Sequence, residues 1–472
     1  MPAPQLSPSF VIVTATVAAA AWTTTAGDRH GPLPDWRVVA VNEIAQPAPG
    51  GAYLESWLAV DPQDSDRMIA TAIAVGTVGA HVFATADGGS TWSEGTHTEG
   101  DETFPGGDPI VVFTADGVAW FSTIEDRMHL WRSDDGGHAW TASPDLPGGT
   151  YDRQFLAAGT GPDAPYLAAS GKIVGLNVFD APIAPDREYL AVTWSRDGAS
   201  FGSPRMVMPL PTERALQAPM GLLVRSDGRL VVPYIAWLLP SSGVITHRLH
   251  GRVSVTASDR RGGFRESVDV GEIDVVPTRG EPDPVKARLG LGVGGAAQDM
   301  GIGPRAGAIY LVWSTLVGDE YRLRVSASGD DGATWRQPTA VSPSTSGDQV
   351  SPAIAVGPDG TVAVVWNDFG SDPDGVCFQV KFAASEDGGQ TFSDPITLNT
   401  VPSCAAAPLG PIARPSRLLA DGKVDPESAA FRWINGGDTQ GIEALPDGSF
   451  SLAWINASQG APGLWFARIS RR

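Results

Sequence analysis

No segment of this 472-residue chain is apolar over the about 18 residues that a membrane-spanning helix needs. Positive charge is scarce as well. The 33 Lys and Arg against 53 Asp and Glu leave a formal charge of −20, which argues against nucleic acid and anionic membrane surfaces as partners. His-Glu-x-x-His, Gly-x-Ser-x-Gly and a phosphate-binding glycine loop are all missing, and the chemistries that those motifs carry go with them. Stretches of helical period are few. Glycine (56) and proline (39) are plentiful and fall mostly between short apolar runs, the layout of one large all-β domain.

Six copies of a short hairpin punctuate the chain. Three match Ser/Thr-x-Asp-x-Gly-x-Thr-Trp/Phe in full: Thr85 to Trp92, Ser328 to Trp335 and Ser385 to Phe392. Ser133 to Trp140 lacks only the threonine, while Ser195 to Phe201 and Ser258 to Phe264 are one residue shorter, the last with Arg260 at the aspartate position. In such a turn hydroxyl and carboxylate side chains satisfy loop N–H groups, glycine supplies φ > 0, and the aromatic opens the next strand as a packing wedge. On these residues the chain resembles the Asp-box (BNR repeat) proteins of the sialidase-like β-propellers, of the bacterial secreted type. The resemblance implies that Asp87, Asp135, Asp197, Asp330 and Asp387 are structural turn residues. A turn that stabilises a blade implies no activity.

A second repeat counts the blades. Ahead of each box lie two apolar runs joined by a tight turn, at Asp116-Gly117, Asp227-Gly228, Asp359-Gly360 and Asp447-Gly448, with Asp64 to Arg67, Gly161 to Pro165 and Gly303 to Gly307 in equivalent places. Seven first turns predict seven four-stranded blades within residues 36–472; a six-bladed ring is the alternative. Unit seven, Thr439 to Ile469, contains three strands, so Trp36 to Val41 is expected to supply its outer strand and close the ring.

Residues 1–26 read as a signal peptide and export segment, with 13 residues from Phe10 to Trp22 followed by small ones, although no Lys or Arg precedes them. A secreted or periplasmic monomer is the expectation. Cys377 and Cys404 should lie nearly opposite each other in blade six, which makes a disulfide geometrically natural; two buried free thiols are the alternative.

Function is expected where the loops that enter the innermost strands crowd one mouth of the channel, opposite the boxes. The candidates there are Asp152, Asp438 and Asp108 as catalytic carboxylates, with Arg153, Gln154, Glu55, Gln217, Gln349, Gln440 and Arg432 as substrate-binding groups. The segments around Asp152 and Asp438 look like mouth segments of the sialidase-like group. Converging carboxylates suit glycoside hydrolysis or lyase chemistry, and they could equally ligate Ca²⁺; no other cofactor is called for. They could also just line a channel. Sialidase chemistry proper asks for an arginine triad, and no spacing singles one out here. Glu188-Tyr189 and Glu320-Tyr321 point to opposite faces of their strands, so neither pair can act as a unit. Two long connections, 404–431 and 271–286, are expected near the mouth or as solvated excursions. Two functional classes therefore stand: a glycosidase-like or lyase-like propeller, and a non-catalytic propeller that binds glycan or protein.

Overall fold

The computed structural model describes residues 35–49, 51–75, 79–97, 102–125, 127–146, 151–174, 188–208, 214–238, 248–276, 294–343, 346–372, 377–404 and 436–472. The export segment and Arg432 lie outside them, as does most of the 404–431 connection. The chain forms seven antiparallel sheets of four principal strands each, arranged as a seven-bladed propeller, and the described residues contain no helix. The innermost strands are, in order, Ala52–Asp61, Gly107–Phe113, Tyr151–Ala158, Arg214–Pro219, Gly294–Gln298, Gln349–Val356 and Gly441–Ala444.

Second strands are buried on both faces. Val362–Asp368 and Phe450–Asn456 have no exposed residue. Stacking of neighbouring blades explains this, because each sheet contributes both faces to the hydrophobic core. Blade seven closes as expected, with its outer strand drawn from the N-terminal side and longer than anticipated. Trp36–Ala45 pairs antiparallel with Gly463–Arg471, from Trp36 opposite Arg471 to Ala45 opposite Leu464. Trp36 is buried between Phe382 and Phe450, with ring centroids at 5.3 and 5.7 Å, and the Arg471 guanidinium covers it at 5.2 Å.

Two boundaries differ from the sequence reading. The first turn of blade one is Pro62-Gln63 rather than residues 64–67, because the Asp61 carboxylate accepts the Gln63 N–H at 2.9 Å and Asp64 already pairs with Asp61. The connection expected from Gly271 begins later, since Val268–Val275 is the outer strand of blade four, its Val270, Ile273 and Val275 buried.

The repeated turns join third to fourth strands. In the first, Asp87 Oδ1 accepts the Thr91 N–H at 2.9 Å, Asp87 Oδ2 accepts the Thr91 hydroxyl at 2.6 Å, and Thr85 Oγ1 accepts the Gly89 N–H at 3.2 Å. The same pattern recurs at Asp330 and Asp387, and in each of the first, second and fifth blades the tryptophan indole donates to the carbonyl of the turn glycine. Blade four, which lacks the aspartate, caps its turn with Asp259 instead. That carboxylate accepts the N–H groups of Arg261 and Gly263 at 2.7 and 2.9 Å. A disulfide joins Cys377 to Cys404, which sit opposite each other across blade six. Closing this 27-residue loop stabilises by about 3.5 kcal/mol on the chain-entropy estimate.

Three outcomes follow for stability. Trp36→Ala removes the ring that seals the closing strand and is expected to lower the unfolding free energy by about 3–5 kcal/mol in denaturant titrations; an unchanged midpoint would show that this strand does not close the ring. Asp387→Ala should lower it by about 1–3 kcal/mol through unsatisfied turn N–H groups. The hydrogen bonds from the Thr91 side chain and backbone, with that of Thr85, hold the Asp87 carboxyl down to about 2. Its contribution is therefore complete above the ordinary carboxylate range and lost as pH falls toward about 2, which acid titration of folding with and without Asp87→Asn will read.

Candidate functional site

Near the mouth the innermost strands leave regular pairing at the same place in five blades. Register shifts occur between Leu54 and Trp57, Gly107 and Ile110, Asp152 and Phe155, Leu216 and Pro219, and Val350 and Ala353. In four of these bulges a non-glycine residue takes positive φ: Glu55 (54°), Asp108 (48°), Arg153 (50°) and Ser351 (49°). Left-handed backbone costs such residues on the order of 1 kcal/mol or more each, and glycine would relieve it. Three of the four positions carry ionisable side chains instead. A bulge re-aims a side chain, and here it turns those of blades one, two and three together.

The bulges also lock neighbouring blades. The Gln154 amide donates to the Asp108 carbonyl, the Gln440 amide to the Ser351 carbonyl, and the Glu55 N–H to the Gly436 carbonyl at 2.9 Å. Gln154 and Gln440 therefore serve the wall of the mouth, and the side-chain oxygen of each is buried without a hydrogen-bond partner.

Arg153 reaches across the mouth to an ion pair with Asp438 of blade seven. One oxygen of Asp438 is thereby engaged, while Oδ1 is buried without a hydrogen-bond partner. Glu55 is only 6% exposed and hydrogen bonds to Asp108. Burial, then the negative charges of Asp108 and Asp438, push the Glu55 carboxyl well above its usual range. Asp108 is also raised, first by burial, against the hydrogen bond from Glu55 and the nearby Arg153. Glu55 is thus the protonated partner and Asp108 accepts its proton in a hydrogen bond. Burial works against the charge of Arg153, but the carboxylates of Asp438, Glu55, Asp152 and Asp108 outweigh it and raise its pKa.

Asp152 lies beside this cluster on the same strand but is itself ion-paired to Lys172 at 2.6 Å and 44% exposed. Gln349 is apart from it. Buried within its own blade boundary, it donates to the Ser342 carbonyl at 3.3 Å and accepts the Leu323 N–H at 3.4 Å. Gln217 occupies the blade-four bulge, and its side chain is outside the description. Among the described residues no three carboxylate, imidazole or thiol groups are placed to hold a metal ion.

Behind the ion pair runs a cavity of 740 Å³ along the axis. Arg153, Asp438 and Gln440 stand at one end, Pro62, Pro358 and Pro446 at the other, and Trp57, Phe155, Met220 and Ile442 line the wall. That volume lies in the range of small-molecule sites. Glu443 also lines it, a residue that sequence reasoning missed, and burial pushes its carboxyl up to about 7. The available signal was a lone carboxylate within an inner strand of otherwise small and apolar residues, Gly441–Ala444.

No protein-family model matches the chain, and no curated protein matches its sequence. Among solved structures it is similar to an ulvan lyase that represents a polysaccharide lyase family, at 10% identity and a TM-score of 0.50, covering 90% of this chain and 94% of that one. It is also similar to a protein of unknown function from Dyadobacter fermentans, at 11% identity and a TM-score of 0.46 over 93% of this chain and 100% of that one. An α-L-arabinofuranosidase from Fusarium graminearum is similar at 12% identity and a TM-score of 0.42, over 77% of this chain and 92% of that one. At such identities the likeness is one of fold.

The Glu55–Asp108 pair yields a pH-dependence with a definite sign. Because its carboxyls are raised above their unfolded values, the protonated pair stabilises the folded state at acid pH, and that contribution is lost as pH rises through the raised values. Glu55→Gln keeps a neutral donor toward Asp108. Denaturation midpoints measured from about pH 5 to 8 are expected to decline less in the variant than in the parent; parallel profiles would show that Glu55 holds no proton there.

Proposed function

We propose that this protein is an exported, sialidase-like Asp-box propeller that cleaves glycosidic bonds at the mouth of its channel by acid–base chemistry. The observation that carries the reading is a protonated carboxyl pair, Glu55 with Asp108, set beside a second, ion-paired carboxylate, Asp438. Glycosidic cleavage requires an acid with a raised pKa and a separate base or nucleophile. In this reading the proton held by Glu55 passes through Asp108 to the leaving oxygen, Asp438 acts on the opposite side, and Arg153 fixes Asp438 and contacts the sugar. The polysaccharide lyase of like fold supports a glycan as ligand. The disulfide supports an oxidising compartment.

The test is incubation of the purified protein with arabinans, uronate-containing polysaccharides and sialosides, with product followed by new reducing ends and by the absorbance of unsaturated uronates. Reducing ends without unsaturation identify a hydrolase, and both together a lyase. Asp108→Asn and Asp438→Asn should each lower turnover per folded molecule about 100-fold or more. No product from any substrate, or full activity in both variants, would overturn the reading. Saturable binding without turnover would identify a binding module instead, an outcome that the mutual engagement of Arg153 and Asp438 favours.

A further inference from the structure

The face opposite the mouth carries a second cleft, of 360 Å³, between the turns of blades three and four. Its walls include Trp194, Arg196, Arg260 and Arg261, with Asp163 and Asp227 as the carboxylates. All three arginines are exposed, Arg260 at 76% of its side chain. The local charge is positive in a chain of formal charge −20.

The origin of these cations lies in the two shortened turns. At the position after the opening serine, blades one, two, five and six have Ala86, Asp134, Gly329 and Glu386; blade three has Arg196. In blade four the capping carboxylate moves one residue earlier, to Asp259, and its hydrogen bonds to Arg261 N and Gly263 N satisfy the turn. Position 260, which holds aspartate in the other five copies, is thereby released from capping and filled by arginine.

They are neutralised only in part, Arg261 acting electrostatically on the turn-capping Asp259. Asp227 is engaged by Arg229 Nε at 2.8 Å, and Arg260 approaches it only to 3.7 Å. Asp197 is turned into its own loop, accepting the N–H groups of Ala199 and Ser200 at 2.9 Å each. No carboxylate among the described residues is ion-paired with Arg196 or Arg261. Trp194 forms an aromatic floor, fixed by the Arg205 guanidinium 4.9 Å from its ring and by the backbone of Gly262, where a Cβ would approach the ring to 2.7 Å. Planar guanidiniums beside an indole match an oxyanion attached to a sugar ring: the forks take the carboxylate or sulfate and the ring lies on the aromatic face.

We propose that this cleft is a second glycan-binding site, remote from the mouth, that recognises the carboxylate or sulfate groups of an acidic polysaccharide. Its link to a polysaccharide rests on the glycan reading of the mouth, whereas the anion recognition stands on the arginines alone. The test is calorimetric titration of the full chain with a sulfated oligosaccharide, a polygalacturonate oligosaccharide, a neutral glucan oligosaccharide and inorganic sulfate. The expected result is binding of one or both acidic oligosaccharides, weakening with salt, and none of the neutral one. The triple variant Arg196→Ala, Arg260→Ala, Arg261→Ala, with unchanged melting, should lose about tenfold or more in affinity, and Arg260→Asp alone should reduce it. The triple variant should keep the parent's turnover of any glycan cleaved at the mouth, which separates a failure of this site from a failure of the mouth. Binding of sulfate with no preference for either oligosaccharide would overturn the glycan assignment. Equal affinity in the triple variant, or no binding of any anionic probe, would overturn the site.

Discussion

Pairing between Trp36–Ala45 and Gly463–Arg471 is the constraint on which the rest of the molecule depends. A four-stranded sheet is too small to bury both faces alone, so each blade borrows its core from its neighbours, and a ring with one incomplete blade would present an open edge. Closure joins residues more than 400 apart in sequence, as in Trp36 opposite Arg471. Once closed, the ring holds seven inner strands around one axis. The strands are then close enough for a side chain of one blade to reach the backbone or charge of another.

At the mouth the blades use that proximity unequally. The bulges of blades one, two and three project Glu55, Asp108 and Arg153, and blade seven adds Asp438; the bulge of blade six carries Ser351 and that of blade four Gln217. Ionisable groups are therefore gathered on four consecutive blades and absent from the bulges of the others. Strained, non-glycine bulges with buried charges are a poor solution for stability alone, since glycine would remove the strain and neutral side chains the desolvation penalty. The opposite face repays its turns differently. There carboxylates are spent on local N–H groups, and where blade four shifts that duty to Asp259, arginine takes the vacated place.

The fold was legible because its signals are local. Asp-Gly turns, continuous apolar second strands and the repeated boxes each act within about ten residues, and together they set the blade number. Boundaries failed where a side chain redirected the backbone, as Asp61 does at Pro62-Gln63, or where alternation hid in a charged segment, as in Val268–Val275. The mouth was legible as a region, since polar residues recur before the inner strands, but the roles within it were not. That Glu55 hydrogen bonds to Asp108, that Arg153 pairs with Asp438 across 285 residues, and that Gln154 and Gln440 face the walls all depend on left-handed bulges that no local pattern announces. Gln349 and the bulge residues look alike in sequence. Register alone separates them.

Crystals of the protein soaked with arabino- and uronate-oligosaccharides provide the most direct test that bulge-borne charges form the ligand site. A sugar ring within hydrogen-bond distance of Asp108 and Asp438, its base against the Trp57 side of the channel, is the expected result. Sugar bound only away from the mouth, with the Arg153–Asp438 pair untouched at saturating ligand, would contradict it.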